Sequence, residues 1–455
     1  MSPGTRLDRH DLASEKTARG DQSIAILFRR GTVNVAPLSR LNYKQALAWL
    51  YSLQRFGIKL GLENIRRLLD ELGLENLRSA RRHQNICSKV IHVAGTNGKG
   101  SVCAMIDSIC RANGHRTGLF TSPHLVTFRE RIRVNGKMIS EDAVTGGLTT
   151  IRNLVADWDP HPTFFEVTTA LALKHFAESK IDLVILETGL GGRLDATNAV
   201  QSNVSIITPI DFDHEEWLGN TLAEIAGEKA GIIKPGVPVV SAPQPPEAEK
   251  VIRSRAAEFS APLQFVNECY NPSQGALRGQ HQKQNAALAI AAMHTAKIHI
   301  SERAIVNGLA ATEWPARFQN WDERTIIDGA HNAGAARVLA QTWREVFDDQ
   351  KATLVLAVLS DKDLRRICAA FAPIAESVLL PKIRSERAAA PEALGKVLSG
   401  MTPALPYSIT SSIDDALALA RAQPNPILIT GSLHFAGEVL AHLRGEPAAF
   451  EECAQ

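Results

Sequence analysis

The sequence predicts an α/β protein with a larger N-terminal domain on a mostly parallel sheet and a smaller C-terminal, Rossmann-like α/β domain. Three observations predict it. Continuously apolar runs alternate with helical periods from about residue 90 onward, the pattern of strands buried on both faces. A glycine-rich heptapeptide, Gly95-Thr96-Asn97-Gly98-Lys99-Gly100-Ser101, joins one such strand to a helix. A second alternating series begins near residue 320.

Taken in order, residues 1–40 are polar and mixed in charge. Their one apolar patch, Ile24-Ala25-Ile26-Leu27-Phe28, is too short for a secretory core, so they are read as an extension outside the fold. From Leu41 to Leu72 the apolar residues Ala46, Trp49, Leu50, Leu53 and Phe56, then Ile65, Leu68 and Leu69, recur at helical spacing, with Gly57 and Gly61 separating two helices. Strands follow at Val90–Ala94, Thr117–Thr121, Ile181–Glu187 and Val204–Thr208, with helices at Val102–Ile109 and about Thr168–Glu178. A boundary near Glu313-Trp314-Pro315 divides a domain over 41–312 from one over 313–455. The second carries strands at Thr325–Ile327, Thr353–Val358, Ser377–Leu380 and Pro426–Thr430. Two such sheets face to face make a cleft, since α/β sheets bind ligands at strand carboxyl ends.

Composition narrows the function classes. With 45% hydrophobic and 22% charged residues the chain is an ordinary globular protein. A net charge of +2 implies no large polyanion, hence no nucleic acid, as partner. Arg78, Arg81, Arg82 and His83 form a basic cluster read as a solvated loop. Six scattered cysteines without a CxxC pair read as reduced thiols in a cytoplasmic protein, and no apolar run reaches the length of a membrane span.

The heptapeptide carries the chemistry. Strand, glycine turn, lysine and helix start together describe a P-loop, ATPase-like phosphate cradle. Glycines let backbone N–H groups close on phosphate oxygens, and the helix N-terminus adds partial positive charge. Lys99 is the mobile cation for the outer phosphates. The spacing departs from GxxxxGK[ST]: Val93 stands at the first glycine, and Ser101 comes one residue late for the usual Mg²⁺ hydroxyl. The loop alone does not choose between a kinase, a GTPase, a motor and a ligase.

Other polar residues follow strands. Glu187 ends IDLVILE, where a carboxylate can hold Mg²⁺ or pair with Arg193. His214, in DFDHEEWLG, is one strand further on; imidazole is an unusual Mg²⁺ ligand. Lys229 lies among Ala, Gly and Ile, where burial would lower its pKa; a salt bridge is the plainer reading. Asp328 and His331 in IIDGAHN, and Ser432 in GSLH, occupy strand-end turns of the second domain. Asp361-Lys362-Asp363 lacks the leading Asn of a guanine-reading motif and is read as a loop.

Over Leu41 to Leu443 the chain resembles the folylpolyglutamate synthase/dihydrofolate synthase family of the Mur ligase superfamily. The motifs are FGIKLGLENI, HVAGTNGKGS, TSPHLVTFRERIRVNG, FFEVTTALAL, LETGLGGRLDATN, DFDHEEWLG, GEKAGIIK, HQKQNAALA, WPARFQ, DGAHN, LSDKD and TGSLHFAGEV. The resemblance implies ATP phosphates on Thr96, Asn97, Gly98, Lys99, Gly100 and Ser101, with Asn285, Arg317 and Asp328 also on the nucleotide. It implies two Mg²⁺ ions, one held by Ser122, Glu187 and His214 and a second by a Lys229 carbamylated by CO₂. Thr163, Phe164, Phe165 and Glu166, with Leu194, Asp195 and Ala196, would line the pterin end, Asp195 bonding the ring. His124 and Phe128 would lie on a loop covering the folate. His331 and Ser432 would place L-glutamate. Lys99, Lys229, His331 and Arg317 would form the catalytic group. Ala316 and His434 stand where the family often carries glycine and tyrosine.

The reaction so implied is ATP-dependent amide formation through an acyl phosphate, adding L-glutamate to dihydropteroate or tetrahydrofolate. A Mur-type UDP-muramyl ligase is the alternative, and a non-catalytic nucleotide switch a third reading. The pterin-side motifs favour folate, and the missing guanine motif disfavours a GTPase. A monomer is the family expectation.

Overall fold

The computed structural model describes residues 41–57, 61–78, 89–271 and 275–451. The expected extension over 1–40, Arg81, Arg82, His83, Cys87 and Cys453 lie outside them. The first sheet contains β1 (Lys89–Ala94), β2 (Thr117–Phe120), β3 (Ile132–Val134), β4 (Lys137–Met138), β5 (Leu183–Glu187), β6 (Val204–Ile207), β7 (Val239–Ser241) and β8 (Leu263–Phe265). Their order is β4-β3-β2-β5-β1-β6-β7-β8. The β2–β3 and β3–β4 pairs are antiparallel and the other pairs parallel.

β1 sits centrally because both its faces are apolar. Val90 enters one core with Phe120, Val184 and Leu186, beneath the helices Tyr43–Ser52, Glu63–Glu71, Glu141–Leu154 and Phe164–Glu178. Ile91 and Val93 point the other way, among residues of the helices Lys99–Ala112, Gln280–Thr295 and Glu302–Ala310. β5 and β6 flank β1, so the chain leaves β1 at a switch point, where such sheets open a crevice.

The second sheet contains β9 (Gln319–Asn320), β10 (Thr325–Ile327), β11 (Ala352–Leu356), β12 (Ala375–Pro381), β13 (Tyr407–Thr410) and β14 (Ile427–Thr430), ordered β13-β12-β11-β14-β10-β9. Its β9–β10 pair is antiparallel and the rest parallel. The expected α/β fold with its two parallel-rich sheets therefore forms. Strands that the sequence did not disclose are mostly peripheral or very short. β13 is exposed along three of its four residues, and β7 is three residues between prolines, so neither shows a long apolar run.

Among the described residues no helix is long and apolar enough to cross a membrane. Cys103, Cys110, Cys269 and Cys368 are free thiols. Arg78 pairs at the surface with Asp70, 2.5 Å away.

Candidate active site

The heptapeptide leaves β1 and turns into the helix Lys99–Ala112, with Gly98 as left-handed N-cap at φ +92°. A Cβ on Gly98 would fall 2.8 Å from Asn285 Oδ1, and one on Gly95 1.9 Å from Thr208 Oγ1, so the loop requires glycine at both. Gly98→Ala should raise the KM for ATP by at least about tenfold, because left-handed strain adds to the clash; unchanged ATP kinetics would contradict this packing. The Thr96 and Asn97 amides donate to Pro209 O, and Thr96 Oγ1 donates to Asp211 O. Lys99 Nζ folds back onto the carbonyls of Gly95 (3.1 Å) and Thr96 (3.2 Å), within the cradle. Ser101 Oγ is turned toward Gln282 Nε2, which in turn accepts at Oε1 from Asn285. This joins Ser101 to the Asn285 side of the loop.

Register places Glu187 beside Val93, on one flank of the loop. The Ser122 amide donates to Glu187 Oε2 at 3.2 Å, and the buried Ser122 hydroxyl has no hydrogen-bond partner. Burial pushes the Glu187 carboxyl up to about 7, against the charges of Lys99, Arg317 and Arg131. A buried carboxylate beside an unsatisfied hydroxyl fits a hard cation, which both would ligate through oxygen.

His214 and Lys229 stand on the opposite flank, after β6. His214, at φ +53°, is the N-cap of a short helical turn; burial, with the charges of Lys362, His331 and Lys229, brings its pKa down to about 4 despite Asp213. Lys229 is buried, donates to Gly95 O at 2.8 Å and is lowered to about 7 by burial and by Lys99. The plainer expectation of a salt bridge for Lys229 is thus overturned: Arg193 takes Glu228 instead. Among the described residues no three His, Cys, Asp or Glu side chains gather into one metal cluster. The structure therefore sets Ser122 and Glu187 on one side of the loop, His214 and Lys229 on the other.

The second domain meets this loop through its own strand-end turns. Asn332 Nδ2 donates to Asn97 Oδ1 (3.1 Å) and to Asp213 Oδ2 (3.0 Å). His331 Nδ1 lies 2.9 Å from Gly329 O, and its Nε2 is 3.5 Å from Asp213. Asp328 accepts from the Phe318 and Ala330 amides; burial raises its pKa, opposed by Arg317. Arg317 Nη1 donates to Ala316 O. Ala316 adopts φ +55°, a conformation glycine takes without strain, so alanine here keeps a turn suited to glycine.

At the segment expected to face the pterin, Thr163 and Glu166 close a capping box on the helix Phe164–Glu178. Phe164 stacks on Tyr51 at 5.6 Å, and Phe165 tilts against Phe120 at 5.8 Å. Asp195 accepts from the amides of Gly189, Leu190 and Thr197 and from Thr197 Oγ1. Both carboxylate oxygens thus brace the loop in which Asp195 sits. Leu194 is half-buried and Ala196 buried beside it. Phe128 is wholly buried, with His124 edge-on at 6.4 Å. Ser432 caps the helix Leu433–Leu443 by accepting from Phe435 N.

Comparison with known proteins decides the family. Residues 93–258 match the Mur ligase middle domain, and residues 316–433 the Mur ligase glutamate ligase domain. The dihydrofolate synthase/folylpolyglutamate synthase of Bacillus subtilis is 36% identical over 439 residues, covering 88% of this chain and 99% of its own. The chain belongs to the dihydrofolate synthase/folylpolyglutamate synthase family. Among solved structures, Escherichia coli FolC in complex with DHPP and ADP superposes with a TM-score of 0.77 at 31% identity, covering 88% of this chain and 98% of that one. A bifunctional folylpolyglutamate synthase/dihydrofolate synthase bound to Mn, AMPPNP and L-glutamate gives 0.77 at 32%, covering 89% and 100%.

This folylpolyglutamate synthase relative is, like its family, an ATP-dependent carbon–nitrogen ligase. Its structure also shows what sequence reasoning missed. Asp213 is buried and takes Lys362 Nζ at 2.8 Å, besides His331 and Asn332. Burial opposes its charge, yet these partners hold the carboxyl well below the usual range. Lys362, read as a loop residue, is nearly as buried. No spacing in the sequence could pair residues 149 apart.

Proposed function

We propose that this chain joins L-glutamate both to dihydropteroate and to the glutamate tail of tetrahydrofolates. One observation carries the reading. The phosphate loop and the second domain's strand-end turn touch through Asn97 and Asn332, so an activated carboxylate and an incoming amine would meet at one seam. The relatives' complexes with DHPP and with L-glutamate support these substrate classes.

A substrate carboxylate is already a nucleophile at neutral pH, so no Ser-His or Cys-His pair is needed to attack the γ-phosphate of ATP. The attack gives an acyl phosphate, and the amine of glutamate then displaces phosphate from it. Lys99 and Arg317 would neutralise charge developing on the phosphoryl oxygens, and the glycine loop would fix their line of approach. Ser122 and Glu187 would hold one divalent cation, and His214 with Lys229 a second. Such ions supply charge neutralisation on phosphate and on the acyl oxygen. Asn285 and Asp328 would contact the nucleotide, and His331 and Ser432 the glutamate. Burial of the seam would keep the acyl phosphate from water.

Lys229 would serve as a carbamate. An amine lowered to about 7 is in large part neutral near pH 7, the form that adds CO₂. Mass spectrometry of the intact protein under bicarbonate should show the gain of one CO₂, absent in Lys229→Met. The unmodified amine has a stability signature with a definite sign. Between about pH 7 and 10 the unfolded chain holds a proton that the folded chain has lost, so stability rises with pH across that window. Lys234, also lowered to about 7 by burial, contributes a second share. Lys229→Met should therefore remove part of that slope in denaturant titrations and leave the rest.

The substrate assignment is tested by supplying ATP, Mg²⁺ and L-glutamate with either dihydropteroate or tetrahydrofolate, and weighing the products. One added glutamate on each is expected. Product with neither would turn the reading toward UDP-muramyl acceptors.

A further inference from the structure

Residues 124–131 carry His124 and Phe128 from the first domain toward the second, and one residue far along the chain fastens them. Glu451 follows the last helical turn, Pro447–Ala449. Its carboxylate accepts from Phe128 N at 2.5 Å, Thr127 Oγ1 at 3.1 Å and Tyr43 Oη at 3.2 Å. Its amide donates to Val126 O at 2.7 Å, and its carbonyl receives His124 Nε2 at 3.0 Å. Five hydrogen bonds thus run from one residue to this loop and to the first helix.

The contacts continue inward. With Nε2–H donating to Glu451, His124 accepts at Nδ1 from Arg131 Nε, 2.8 Å away. Arg131 is fully buried, lies 5.3 Å over the Phe164 ring and bears on the Glu187 carboxylate. On the other side Phe450 meets His434 edge-on at 5.1 Å, tying the same segment to the helix Leu433–Leu443. Glu451 also fixes the imidazole tautomer, because a carbonyl partner requires a proton on Nε2.

We propose that Glu451 is a positioning residue for the pterin substrate: it locks the 124–131 loop, and through His124 orients Arg131 against the Phe164 wall. The claim rests on the proposed pterin ligase reading. Ser122 is held by Glu187, outside the hydrogen bonds that Glu451 makes.

The test compares the full-length wild type with Glu451→Ala and Glu451→Gln. Hydrogen exchange over 124–131 and KM values for dihydropteroate and for ATP are measured. Glu451→Ala should speed exchange in that loop and raise the KM for dihydropteroate about tenfold, since the three carboxylate bonds to Phe128, Thr127 and Tyr43 are lost and the main-chain bonds to Val126 and His124 are left to hold the loop alone. The KM for ATP should stay within about twofold, because small misplacements act where the loop contacts substrate. Glu451→Gln should restore most of the effect: its carbonyl still accepts from Thr127 and Phe128, and its amide can donate to the Tyr43 oxygen. Unchanged loop exchange and KM in Glu451→Ala would overturn the positioning role alone. So would an equal rise in both KM values with a lowered melting temperature, the mark of a general structural effect. A wild type with no pterin turnover would overturn the ligase reading and this role with it.

Discussion

Replacing Lys99 with alanine is expected to lower kcat by on the order of 10³ while leaving the fold intact. The lysine opens the helix that follows the phosphate loop, and its ammonium already sits between the Gly95 and Thr96 carbonyls. It needs little reorganisation to meet a phosphoryl oxygen, so its removal strips charge stabilisation from the transition state more than from the ground state. The loop geometry does not depend on it: the Thr96 and Asn97 amides are held by Pro209, and Asn285 lies close against Gly98. Circular dichroism should match the wild type, and single-turnover phosphate release should be slow. Activity within about tenfold of the wild type would contradict the assignment of Lys99 to the outer phosphates.

Lys362→Met is expected to destabilise the protein by about 3 kcal/mol, because it strands a buried carboxylate. Asp213 and Lys362 lie in loops that follow β6 and β11, strands of different sheets, and their side chains are 6% and 8% exposed, so solvent does little to screen the loss. His331 and Asn332 would remain on Asp213, which places the effect at the low end for a broken buried pair. The sign of the pH dependence follows from the depressed carboxyl. Its contribution is complete above the ordinary carboxylate pKa of about 3.9 and is lost only as pH falls through the much lower folded value. Wild-type stability should therefore hold in mild acid, and Asp213→Asn with Lys362→Met should recover part of the single variant's loss. Equal stability of Lys362→Met and wild type in denaturant titrations would show that the pair does not join the domains energetically.

Much of the fold was legible because central parallel strands must be apolar on both faces. VIHVA, DLVILE and ILIT announced β1, β5 and β14 without help from anything distant. β3, β4 and β13 were illegible for the same reason reversed: strands at or next to a sheet edge need not hide both faces, and their residues read as loop. The phosphate loop could be read whole, since its function requires one contiguous turn. The seam could not. Asn97 with Asn332 and Asp213 with Lys362 are created by two strand ends meeting, and each alone looks like an ordinary polar turn. Asp195 was legible from its motif, but the hydrogen bonds by which it braces its own loop were not. Glu451 gives no local signal, because only the folded chain brings it to Phe128.

The most direct measurement follows oxygen. Tetrahydrofolate carrying heavy oxygen in its terminal glutamate carboxylate would be turned over with ATP, Mg²⁺ and L-glutamate, and the released phosphate weighed. Carboxylate attack on the γ-phosphate predicts one heavy oxygen in the phosphate released with the first glutamate joined, measured before a second addition. Phosphate without the label, released while glutamate is still added, would contradict activation through an acyl phosphate.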